Sequence, residues 1–80
     1  MNKRRLESIM KLHGDTGGRL AAYIGISRTT FSAKINETNN AEFTQGEIAK
    51  IKLRYNLSPD EVDGIFFGQK VSKSDTVSEV

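Results

Sequence analysis

The stretch GGRLAAYIGISRTTFSAKIN, Gly17 to Asn36, reads as two short helices broken by a tight turn. Leu20, Ala21 and Ile24 share one face of the first helix, near 17–24. Gly25 permits the left-handed backbone of a sharp reversal, and Ser27 is placed to cap the next helix, near 28–36. There Phe31 and Ile35, at i and i+4, pack back onto the first helix. Thr29, Ser32, Ala33 and Asn36 fall on the opposite side, a strip with no large apolar residue. A helix that buries one face and offers small hydrogen-bonding groups on the other suits the major groove of DNA.

Outward from this stretch the pattern stays helical. Leu6, Ile9, Met10 and His13 give an amphipathic helix over about Lys3 to Leu12, and Gly14 is placed to end it. Residues 37–43 are a polar loop. Thr44 and Glu47 have capping-box spacing, so a fourth helix starts at Gln45, carries Ile48, Ile51 and Tyr55, and stops near Asn56. Ser58, Pro59 and Glu61 open a short fifth helix with Val62, Ile65 and Phe66, ended by Gly68. Residues 69–80 carry no apolar period and read as a flexible tail; a short extended segment over Phe67–Val71 is weakly indicated. No strand run competes, so the expected class is all-α, with a domain over 1–68 and a tail over 69–80.

Eighty residues allow one domain with a small core, and such a chain buries only about 60% of its unfolded surface. There is no Cys, which fits a reducing compartment; no membrane-length apolar run and no signal core appear, so a cytoplasmic location without membrane contact is expected. The charge is uneven. Residues 1–36 hold seven basic residues against two acidic ones, a net +5, whereas residues 37–80 hold five against eight, a net −3. The positive half contains the two-helix motif, an orientation suited to a polyanion. No nucleophile–base pair, Gly-rich phosphate loop or metal-ligand spacing appears, so neither an enzyme nor a bound cofactor or metal is expected. His13 reads as a helix-end packing residue, and Asp60, Glu61 and Asp63 as acids favouring a helix N-terminus. Leu53 falls off the buried face of its helix, so it and Phe67 are either monomer core or self-association residues.

The segments IGISRTTFSAKIN, FTQGEI and LSPDEVDGIFF, taken in that order, resemble the Cro/C1-type (XRE) helix-turn-helix family. Within it the chain is most similar to short Cro-like regulators of phages and prophages of Gram-positive bacteria, over about residues 5–68. The resemblance implies a compact five-helix, lambda-repressor-like DNA-binding domain whose third helix enters the major groove. It also implies regulation of a promoter and binding as a homodimer to a near-palindromic operator. Two departures stand out. Gly17 and Gly18 replace the polar residue with which many relatives touch phosphate, and Lys34 stands where many carry an apolar residue. Backbone N–H groups at that helix N-terminus remain able to bind phosphate.

The base-contact candidates are Arg28, Thr29, Ser32 and Ala33: a guanidinium suited to guanine, two hydroxyls and a methyl. The phosphate candidates are Gly17, Gly18, Arg19, Lys34 and Asn36, with Lys3, Arg4 and Arg5 from the N-terminal arm. The expected function is sequence-specific transcriptional regulation, Cro-like, on double-stranded operator DNA. The competing expectation is an antirepressor or modulator that keeps the same shape but binds a partner phage repressor.

Overall fold

The computed structural model describes residues 1–67, and within them the chain forms five α-helices and no strand. The expected stop at Gly68, the tail 69–80 and the extended segment beyond Phe67 lie outside the described residues; Phe67 itself is helical.

Each helix begins where a side chain satisfies an otherwise free N–H. Asn2 accepts from Arg5 N at the start of α1 (Lys3–Leu12), and Gly14 leaves it with a positive φ of 73°. Thr16 accepts from Arg19 N to open α2 (Gly17–Ile24), which ends on Gly25 at φ 86°. Ser27 then accepts from Thr30 N and opens α3 (Arg28–Ile35), with Asn36 as its C-cap. Reciprocal capping boxes start both α4 (Gln45–Tyr55), through Thr44 and Glu47, and α5 (Pro59–Val62), through Ser58 and Glu61.

Two segments differ from the sequence expectation. The polar loop contains a 3-10 turn, Thr38–Asn40, with Glu37, Asn39 and Asn40 all at positive φ. Asparagine tolerates that region; Glu37 does so at some cost in strain. The fifth helix is α-helical only to Val62 and widens into a π-helical turn, Asp63–Phe67. The wider turn places both Ile65 and Phe66 in the core.

Leu6, Leu20, Ile51 and Ile65, from four different helical segments, are the most deeply buried side chains. Phe43 links Phe31 of α3 to Phe66 through edge-on ring contacts, with centroids 5.7 and 5.9 Å apart. The N-terminus is tied in by Asn2 N donating to Ile65 O at 2.6 Å. Phe67 packs against the core, but Leu53 stays 76% exposed and so lies outside it. Among the described residues no helix is long and apolar enough to cross a membrane.

Candidate nucleic-acid interface

The candidate surface is built on α3, whose orientation follows from the two side chains it buries. Phe31 and Ile35 face inward, while Arg28, Thr29, Ser32 and Asn36 are exposed and Ala33 is half-buried at the edge of the same strip. The Gly25 turn sets α3 against α2. Close approach continues at Gly17, where an added Cβ would sit 3.4 Å from the Phe31 ring. Beside it the Arg28 stem runs past Gly18, its Cδ 3.8 Å from where a Cβ would lie. The N-terminal turn of α2 and the Arg28 guanidinium therefore share one corner of the surface.

The other end of the strip is ordered by hydrogen bonds. Lys3 Nζ donates to Asn36 Oδ1 at 2.6 Å, bringing the N-terminal arm onto α3. Asn36 Nδ2 in turn donates to Ser32 O at 3.0 Å and to Ser32 Oγ at 3.4 Å. A cleft of about 230 Å³ lies between α1 and α3, floored by Met10, Phe31 and Ile35 and rimmed by Lys3, Glu7, Arg28 and Asn36.

The cationic candidates occupy distinct settings. Arg4 and Arg19 are exposed. The Arg5 guanidinium lies against Gly64 in the π-helical turn, 3.5 Å from a Cβ built there. Lys34 is taken up by Glu47: its Nζ reaches both carboxylate oxygens, at 2.7 and 2.8 Å. The two side chains are only 15% and 13% exposed. Burial pushes the Glu47 carboxyl upward, but Lys34 and the Thr44 N–H outweigh it and hold the carboxyl below its ordinary value. Glu47 thus caps α4 and ties it to α3.

Arg54 and Tyr55, at the end of α4, converge on Asp15 in the α1–α2 connection. Arg54 and then Tyr55, as donors, hold the Asp15 carboxyl well below the usual carboxylate range, against the effect of burial. Burial, and then the bond to Asp15, push the Tyr55 phenol well above its ordinary value. Arg54 also lies over the Tyr23 ring, 4.7 Å from its centroid, and His13 packs against Tyr55 with centroids 4.9 Å apart. The acids Asp60 and Glu61 occupy the first turn of α5, and Glu61 is a capping residue. Among the described residues no three His, Cys, Asp or Glu side chains are grouped to hold a metal ion.

Sequence reasoning missed the Lys3–Asn36, Lys34–Glu47 and Asp15–Arg54–Tyr55 links. Their partners are 33, 13, 39 and 40 positions apart, and no local pattern marks them. No protein-family model, curated protein or solved structure matches the chain.

Proposed function

We propose that the protein is a sequence-specific DNA-binding regulator that uses α2, the Gly25 turn and α3 as a helix-turn-helix, in the manner of the Cro/C1-type family it resembles. The observation that carries the reading is the two-sidedness of α3. It buries Phe31 and Ile35, and its outer strip bears Arg28, Thr29, Ser32 and Asn36 with no acid and no large apolar side chain. An α-helix with short side chains matches the roughly 12 Å width of the major groove. Arg28, Thr29, Ser32 and Ala33 read base edges in this proposal. The free N–H groups of Gly17 and Gly18, together with Arg19, Lys3 and Arg4, meet phosphates. The excess of basic residues in the first 36 positions supports the same orientation. A homodimer on a near-palindromic operator supplies the affinity that one modest reading face lacks.

The test is selection from a pool of randomised duplexes, followed by binding measurements at near-physiological salt. The expected result is an enriched sequence bound at least about 100-fold more tightly than scrambled DNA. Equal affinity for the two would overturn the proposal.

A second reading, an antirepressor acting on a partner phage repressor, is favoured by one observation. Leu53 and Tyr23 are 76% and 42% exposed, and the Arg54 guanidinium lies over the Tyr23 ring. Such apolar and aromatic exposure suits a protein contact. Co-elution with a repressor, lost in Leu53→Ser while DNA binding is absent throughout, would select this reading instead.

A further inference from the structure

We propose that Asn36 is a positioning residue that holds the Lys3 ammonium at the C-terminal end of α3, with its charge uncancelled, to meet a DNA phosphate. The inference rests on the reading that α3 enters the major groove, and it deepens that reading.

A lysine on a surface helix samples many rotamers, and ordering such a side chain on binding weakens affinity by about two- to tenfold. Lys3 is exposed yet already held, because its Nζ donates to Asn36 Oδ1 at 2.6 Å. Asn36 is fixed in turn: its Nδ2 donates to Ser32 O, one turn back in α3, at 3.0 Å. Lysine carries only donors, so the amide oxygen is the Asn36 atom that faces it. One of the three ammonium N–H groups is used in this way, and two remain for another acceptor. Asn36 is also the C-cap of α3, where the helix dipole presents partial negative charge to a cation.

The holder is neutral, and that decides what the contact can do. Lys34, two positions before Asn36, meets both oxygens of the Glu47 carboxylate, and its charge is cancelled there. An amide fixes a lysine without cancelling its charge. Among the described residues no carboxylate lies within ion-pair distance of Lys3. Glu37, the residue after Asn36, accepts from the Met1 ammonium at 3.1 Å instead. The end of α3 thus keeps an ordered cation beside the strip proposed to face DNA. A phosphate contact acts through such a charge and sets the register of the protein on the duplex.

The test is a double-mutant cycle on the operator obtained from the duplex selection, with the wild type, Lys3→Ala, Asn36→Ala and the double variant. Lys3→Ala should reduce the slope of log affinity against log salt by about 0.9. Asn36→Ala should leave that slope unchanged, because the charge stays, and weaken binding about threefold. In the Lys3→Ala background the same change should weaken binding no further. A readout on the free protein needs no DNA: by NMR, the Lys3 ammonium protons should exchange with water faster in Asn36→Ala than in the wild type.

Equal weakening by Asn36→Ala in both backgrounds would overturn the inference alone, because Asn36 would then act on DNA directly or only on the fold. So would identical proton exchange in the wild type and Asn36→Ala. A wild type that enriches no sequence would overturn the DNA-binding reading itself, and this inference with it.

Discussion

Arg54 and Asp15 meet as a fork across 39 positions of sequence, with Nε–Oδ2 at 2.7 Å and Nη2–Oδ1 at 2.8 Å. Tyr55 adds a third donor to the same carboxylate at 2.5 Å, and the Asp15 side chain is only 5% exposed. The cluster fastens the α1–α2 connection, and so the start of α2, to the end of α4. Asp15→Asn keeps the size of the side chain but removes the charge that both donors address. It should cost about 2 kcal/mol, in line with hydrogen bonds to charged groups. Urea denaturation should show a lower midpoint with an unchanged slope.

This cluster, together with the Lys34–Glu47 pair, makes stability depend on pH at both ends. Asp15 and Glu47 have carboxyl groups held below their ordinary values of 3.8 and 4.5. Their stabilisation is complete above those values and is lost as the pH falls below them, because the unfolded chain then binds protons that the folded chain does not. The Tyr55 phenol is raised above its ordinary value of 10.0, so the folded chain keeps a proton that the unfolded chain releases in alkali. Stability should therefore be flat between about pH 5 and 9 and decline on both sides. Denaturation midpoints across pH measure this, and Asp15→Asn should make the acid limb shallower and Tyr55→Phe should remove the alkaline limb.

Gly25 tests the turn. An added Cβ would meet nothing within 4 Å, so any cost of Gly25→Ala comes from the φ of 86° alone. A loss of about 1 kcal/mol is expected for alanine and a smaller one for asparagine, which enters the left-handed region more readily. Equal losses would point to some other cause, and thermal unfolding of the two variants separates the cases.

At Gly18 stability and binding should part. Its added Cβ would find ordinary contacts with Arg28 and Thr16, at 3.8 and 3.9 Å, and its φ is not positive. Gly18→Ala should gain about 0.5 kcal/mol from helix propensity and the stiffer unfolded chain. If a phosphate sits on the α2 amides, the same methyl group holds it away, and DNA affinity should fall several-fold. Calorimetry and fluorescence anisotropy on one preparation measure both.

Salt dependence distinguishes free from engaged cations. Arg19 is exposed, whereas Lys34 is ion-paired with Glu47 inside the fold. Arg19→Ala should reduce the slope of log affinity against log salt by about 0.9, the contribution of one phosphate contact. Lys34→Ala should leave that slope alone and lower stability instead. A reduced slope in Lys34→Ala would mean that Lys34 exchanges Glu47 for phosphate on DNA.

The helix boundaries were legible in the chain itself. Ser27, Thr44 and Ser58, read as caps from the chain, each cap an N–H three residues on, as Asn2 and Thr16 also do in the structure, and Gly14, Gly25 and Asn56 each supply a left-handed exit. Such signals lie within a few residues, so propensity and spacing expose them without knowledge of the fold. The faces that α3 buries and leaves open followed from its 3.6-residue period in the same way. Tertiary structure alone decided which charges are spent and which are free. Nothing near Lys34 names Glu47, nothing near Asp15 names Arg54, and nothing near Lys3 names Asn36. Each basic group had several acceptors of equal chemical merit along the chain, and only packing of the apolar faces chose among them. Sequence thus determined an all-α chain with a two-sided third helix. Folding decided that Lys3 reaches Asn36, that Lys34 is held by Glu47, and that Leu53 remains in water.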